Sequence, residues 1–298
     1  MNFNFHIKYL DIRLFIFILI FFLHSTAMSS SYYSPFHNAN KNFTKNNEVH
    51  TKDINNINEI KLTWDNALVR IPKPDGKIHK SAMKDLTGSE DFLKNKFKTI
   101  IYLHGCSGIW KGTALRIDLF AKNNYAVIAP ASMAREIYPQ SCDPIKHVGG
   151  MYRNTLKIRQ IDAKNAVINA KKLSWTDNKN IFLVGLSEGG ITTATYKPEN
   201  SMESVSGRVI EAWTCHAGWE EYRGINSKYN EPILSIVAKD DPWFVADYLQ
   251  GDCGEYLNNN PKSRSVVIDD PILSKKHGLM HHPKIQKITL DFLINIIK

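Results

Sequence analysis

Ile181-Phe182-Leu183-Val184-Gly185-Leu186-Ser187-Glu188-Gly189-Gly190 is the stretch on which the reading of this chain turns. Its first four residues make a buried strand. The glycine that follows opens a bend too tight for ordinary side chains, and a helix is predicted beyond it. A serine with glycines two before and two after it sits on a sharp strand-to-helix turn with its hydroxyl exposed. A Cβ at either glycine would crowd the neighbouring backbone. The first amides of the helix point toward the same spot. A serine that merely caps a helix has the same local pattern, so residues elsewhere must decide between the two.

Outward from that bend the chain alternates strand-like and helix-like segments. The pattern predicts an α/β fold: a mostly parallel central sheet with helices on both faces. Leu62 to Ile71 reads as a strand near one edge, closed by Pro72-Lys73-Pro74-Asp75-Gly76. Lys98 to Leu103 is a buried strand ending at His104-Gly105, and Tyr125 to Pro130 is the next. Ala163, Ala166, Val167 and Ala170 then form one apolar helical stripe ahead of the strand that carries Ser187. Further strands are predicted at Val209–Thr214, Pro232–Ala238 and Ser265–Ile268. A last helix opens at Pro283, a residue suited to a first turn, and buries Ile285, Ile288, Phe292 and Ile296.

The N-terminus has a different character. Lys8 and Arg13 precede an apolar run from Leu14 to Leu23, and small residues follow at Ser25-Thr26-Ala27. That layout predicts a secretory signal over 1–27, cut after Ala27. The run is shorter than the ~20 residues that span a bilayer, so no stable membrane span is expected after cleavage. Residues 28–60 read as a flexible Asn/Lys-rich leader, and 61–298 as the folded domain. The expected location is outside the cytoplasm, periplasmic or secreted.

Charge and cysteines bound the function classes. The net charge is +9, and Lys8 and Arg13 against Asp11 leave +8 beyond residue 27. The lysines are scattered and no arginine-aromatic motif accompanies them, which argues against nucleic acid as a partner. Four cysteines, Cys106, Cys142, Cys215 and Cys253, fit two disulfides in an exported chain, with three possible connectivities. Sequential pairing is preferred, because each pair falls in loops after successive strands. No two have zinc-site spacing, so no metal is expected.

Acyl transfer by a serine needs a base, a group that orients the base, and amides for the developing oxyanion. In a doubly wound sheet these belong at the C-terminal ends of strands. The acid is expected in Lys239-Asp240-Asp241-Pro242-Trp243. Asp241 is favoured because small Ala238 lies three before it, with Asp240 as the alternative acid. The base is expected on the loop before the last helix, where His277 is followed by Gly278; His281 and His282 lie against the helix start and suit a cap or solvent. The loop His104-Gly105-Cys106-Ser107-Gly108 offers the amide of Cys106, and Glu188 offers the second oxyanion amide. Gly105 is read as the residue that allows close approach, and His104 as a buried structural residue.

Together these segments resemble the dienelactone hydrolase family of α/β-hydrolases. The likeness rests on Tyr102 to Gly108, Gly185 to Gly190, Ala238 to Trp243, His277-Gly278 and the helix segment Arg159-Gln160-Ile161-Asp162-Ala163. It implies an α/β-hydrolase fold, no cofactor, and cleavage of a carboxylic ester or lactone, the substrate being a small molecule or a polymer. The founding dienelactone hydrolases carry a cysteine nucleophile where this chain has Ser187, which turns the expectation toward a general serine esterase. The exported, cysteine-bearing form also resembles secreted polyester depolymerases and feruloyl-type esterases. A peptidase on the same fold, or a catalytically silent envelope binding protein, are the remaining alternatives.

Overall fold

The computed structural model describes residues 49–139 and 141–297. The segment read as a signal, 1–27, and the leader up to residue 48 lie outside the described residues. Eight strands form one sheet: β1 (Leu68–Pro72), β2 (Ile78–Ala82), β3 (Phe97–Leu103), β4 (Ala126–Ala129), β5 (Thr176–Leu186), β6 (Gly207–Glu211), β7 (Ile233–Ala238) and β8 (Arg264–Ile268). Their order is β2-β1-β4-β3-β5-β6-β7-β8. β1 runs antiparallel to both its neighbours, and every other pairing is parallel.

Strand geometry sends alternate side chains to opposite faces, and the core divides accordingly. Ile100, Tyr102, Phe182 and Val184 join Phe120, Phe292 and Leu293 on one face, under α3 (Lys111–Lys122) and α6 (Pro283–Asn295). Ile101, Leu103, Ile181 and Leu183 join Ala163, Ala166, Val167 and Ala170 of α4 (Thr155–Lys172) on the other. The near-continuous apolar runs of β3 and β5 are therefore the signature of strands covered on both faces. Among the described residues no helix is long and apolar enough to cross a membrane.

Two expectations need correction here. Residues 49–60 are not a loose leader but hold α1 (Thr51–Ile54) and most of α2 (Ile57–Asp65). Val49 and Ile54 are buried with Met133, Tyr138 and Ile158. Arg135 donates to the Asp53 carbonyl at 2.8 Å, and the Glu136 amide donates to the Glu59 carboxylate at 2.7 Å. The polar composition that suggested a linker is spent on docking and capping: Asn56 caps α2 by accepting from the Asn58 amide at 3.0 Å. For the same reason Leu62–Asp65 are helical, and the first strand starts only at Leu68.

Candidate active site

β5 delivers Ser187 to a backbone position that few L-residues occupy, with φ 58° and ψ −118°. The turn is enforced by contact. A Cβ on Gly185 would lie 2.0 Å from the Gly189 carbonyl oxygen, and one on Gly189 would lie 2.1 Å from the Leu103 oxygen. At Gly190 it would come within 2.7 Å of the Glu211 oxygen. No L-side chain fits these three places. The Ser187 amide donates to the Glu211 carbonyl at 2.9 Å, and α5 (Glu188–Thr195) begins at the next residue. Ser187 itself stays half-exposed. Strained strand-turn-helix bends of this form hold reactive hydroxyls.

The sheet register sets Gly185 beside Leu103, so the loop after β3 lies next to the bend. There the glycine roles differ from expectation. A Cβ on Gly105 would meet only ordinary contacts, the nearest at 3.6 Å. Gly108 is the constrained one: its φ is 79° and a Cβ would fall 1.6 Å from the Met133 sulfur. Its amide closes the turn onto the Gly105 carbonyl at 3.0 Å.

From the far side of the sheet, the loops after β7 and β8 bring an acid to a base. His277 Nδ1 and Asp241 Oδ2 lie 2.8 Å apart, and Asp241 Oδ1 accepts from the Trp243 amide at 3.0 Å. The Asp241 side chain is almost wholly enclosed. Asp240 is exposed and forms part of the wall of a separate cavity. Of the two aspartates, only Asp241 is brought to the imidazole. His282 caps α6 by accepting from the Lys284 amide at 3.3 Å, and His281 is exposed. The indole of Trp243 stacks on His277, with ring centroids 4.8 Å apart and planes at 24°.

His277 Nε2, the nitrogen away from Asp241, is buried and has no hydrogen-bond partner among the described residues. It therefore makes no hydrogen bond to Ser187 Oγ in this structure, although both residues line one cleft. The buried His104 Nε2 is unpartnered as well, so what sets His277 apart is its carboxylate partner and its place in the cleft that Ser187 also lines. Such contacts are often long before substrate arrives and tighten on binding.

A buried polar layer supports the bend from beneath. Arg159, from α4, reaches His104 Nδ1 at 3.1 Å, Tyr138 Oη at 3.0 Å and Glu188 Oε1 at 3.1 Å. Tyr138 donates to Glu188 Oε1 at 2.8 Å. Burial first, and then the Arg159 charge, hold the His104 imidazole well below its ordinary pKa, so it is neutral at pH 7. It is also fully buried and not among the cleft-lining residues, where a second base would have to stand. Burial raises the Glu188 carboxyl above its usual range, against the pull of Arg159. With that side chain tied downward, Glu188 brings its backbone amide to the helix start, where intrahelical partners are lacking.

One participant escaped the sequence reading altogether. Glu211, the last residue of β6, is fully buried. Its Oε1 accepts from Arg116 Nη2, Leu279 N and Met280 N, each at 2.7 Å, and its Oε2 accepts from Arg116 Nε at 3.0 Å. The carboxylate thus grips the chain just after His277, while the carbonyl of the same residue holds the Ser187 amide. The available signal was a charge set between apolar residues at the end of the run Val209-Ile210-Glu211-Ala212.

The cleft that Ser187 and His277 share has a volume of about 330 Å³. Disulfides join Cys106 to Cys142 and Cys215 to Cys253. The first ties the loop after β3 to the wall at Ser141, Gly149 and Gly150. The second ties down the loop that carries Trp213 and Trp219. Among the described residues no cluster of His, Cys, Asp or Glu is arranged to hold a metal ion.

Strand order, the glycine-guarded bend after β5, and acid and histidine loops after β7 and β8 now stand together. The fold is that of an α/β-hydrolase. No protein-family model matches the chain, and no curated protein matches it in sequence. Solved structures similar to it include a protein of Klebsiella pneumoniae described as a dienelactone hydrolase (14% identity, 67% of this chain and 88% of that one, TM-score 0.47). A dienelactone hydrolase-like promiscuous phosphotriesterase from metagenomic libraries is similar at 12% identity, over 78% of this chain and 100% of that one, TM-score 0.48. Esterase 2 of Thermogutta terrifontis is similar at 14% identity, over 68% and 85%, TM-score 0.43. The chemistry of this cleft rests on its own residues.

Proposed function

We propose that this chain is an exported serine hydrolase of carboxylic esters, with Ser187 as nucleophile, His277 as base and Asp241 as the acid that orients it. The observation that carries the reading is the His277–Asp241 pair at 2.8 Å, whose free Nε2 is enclosed at the same cleft as a strained serine. In the reaction His277 Nε2 takes the Ser187 proton as Oγ attacks the ester carbonyl. The amides of Cys106 and Glu188 receive the oxyanion. The tetrahedral adduct collapses, the C–O bond to the alcohol breaks, and His277 returns its proton to the leaving oxygen. Water, deprotonated by His277, then attacks the acyl-enzyme and frees the carboxylic acid and Ser187.

The motif resemblance to dienelactone hydrolases agrees with this assignment. Export is supported by the basic-apolar N-terminal pattern together with the two disulfides, which persist in oxidising compartments. The test is direct. Purified protein should form a stoichiometric adduct with a fluorophosphonate and hydrolyse a small chromogenic ester. Ser187→Ala should stay folded, lose the adduct and lose turnover by on the order of 10⁶. Folded wild-type protein that is inert to the fluorophosphonate overturns the assignment.

A further inference from the structure

The wall facing Ser187 is built from aromatic rings carried on two loops. Trp213 and Trp219 come from the loop after β6, and Trp243, Phe244 and Tyr248 from the loop after β7. They hold one another in place: Trp213 meets Phe244 edge-on at 5.7 Å, and Trp219 meets Tyr222 edge-on at 5.2 Å. Packed rings of this kind offer large, rigid apolar area and favour a further ring that stacks or meets them edge-on.

Charge is the second observation. Among the residues lining the cleft, no lysine or arginine is present, and the one carboxylate, Glu188, is spent on Tyr138 and Arg159. Two guanidiniums lie close by and both are engaged: Arg153, over the Trp219 ring at 5.5 Å, forms a two-point ion pair with Glu221, and Arg159 is taken up by His104, Tyr138 and Glu188. A substrate that brought its own carboxylate would be stripped of water there with no cation to receive it. A neutral substrate has no such cost.

On the esterase reading, we infer that the cleft selects neutral esters that carry an aromatic group near the scissile carbonyl, and that Trp219 is one face of the subsite that holds the ring. Ionised substrates, such as monoesters of dicarboxylic acids, are excluded by the same lining.

The test compares methyl 3-phenylpropanoate, methyl 3-cyclohexylpropanoate and monomethyl adipate, with product acid measured by chromatography at pH 7.5. The phenyl ester should exceed the cyclohexyl ester in kcat/KM by about tenfold, since both are similarly apolar and only one is flat. It should exceed the anionic monoester by at least about 100-fold. Trp219→Leu, confirmed folded by its fluorophosphonate adduct, should bring the phenyl-to-cyclohexyl ratio close to one. Equal rates on the two neutral esters, a ratio untouched by Trp219→Leu, or a preferred anionic ester overturns the inference while leaving the esterase assignment standing. Failure of every ester together with failure of the adduct overturns the assignment itself.

Discussion

Glu211→Gln is the substitution that tests the architecture most severely, because it removes one charge and almost no volume. Glutamine keeps an oxygen for the Leu279 and Met280 amides, but its NH₂ group then confronts the Arg116 guanidinium, donor against donor. Arg116 is only 5% exposed, so its charge is left without solvent or a counter-ion, with the Gly112 carbonyl at 3.3 Å and the remaining amide oxygen as neutral acceptors. Breaking a buried ion pair by removing one partner costs about 3–5 kcal/mol. At about 2–4 °C per kcal/mol for a domain of this size, the melting temperature should fall by about 6–20 °C. Circular dichroism on heating reads this directly. Replacing Arg116 by Met in the same chain should recover part of the loss, since the stranded charge is then gone. The pH dependence has a definite sign. Burial drives the Glu211 carboxyl upward, but Arg116 and the two amides outweigh it and leave its pKa below the ordinary range. A depressed folded pKa gives stability that is fully present above the unfolded value, about 4.3 for glutamate, and is lost as pH falls through the folded value. Wild type should therefore lose stability toward Glu211→Gln in acid, and the gap between them should close. A melting-temperature change below about 2 °C at pH 7, or a gap that widens in acid, refutes the reasoning.

Two further perturbations separate the roles assigned within the cleft. Asp241→Asn should lower kcat by about 10⁴, because the carboxylate that sets the imidazole tautomer is gone, whereas Asp240→Asn should leave kcat within about twofold; steady-state kinetics on one chromogenic ester checks both. Replacing Cys106 and Cys142 together by Ser opens a loop of sequence separation 36 and should cost about 4 kcal/mol, with kcat falling more than KM changes because the Cys106 amide is freed to move.

Much of the site was legible because its constraints are local. A glycine that would otherwise collide with a carbonyl at 2.0 Å admits no substitute, so Gly185 and Gly189 mark the bend in any reading of the chain. His277 and Asp241 are recognisable from their places after successive strands. What stayed hidden depends on long-range pairing. Glu211 and Arg116 lie 95 residues apart and acquire meaning only when β6 is set against α3. The docking of residues 49–60 was equally invisible, since it runs through two widely spaced apolar residues, Val49 and Ile54, together with backbone carbonyls and a glutamate, and not through a continuous apolar stripe. The aromatic wall lies in loops, which have no periodicity to betray which rings will meet.

The hidden part and the legible part are connected through strain. Among the described residues the non-glycine positions with positive φ are Asn124, His147, Ser187, Ala212 and Cys215. All but Asn124 belong to the cleft or its supports: Ala212 follows Glu211, Cys215 is disulfide-bonded in the wall, and the His147 ring packs on Trp243 at 5.5 Å. Each such residue costs on the order of 1–3 kcal/mol and persists only where its surroundings over-determine it. Here the surroundings are the Glu211–Arg116 pair, the two disulfides and the three clashing glycine positions. Residues set back from the reacting hydroxyl thus hold Ser187 in a conformation it would not adopt alone, and a loss of support away from Ser187 should reach the reaction by letting that rim relax.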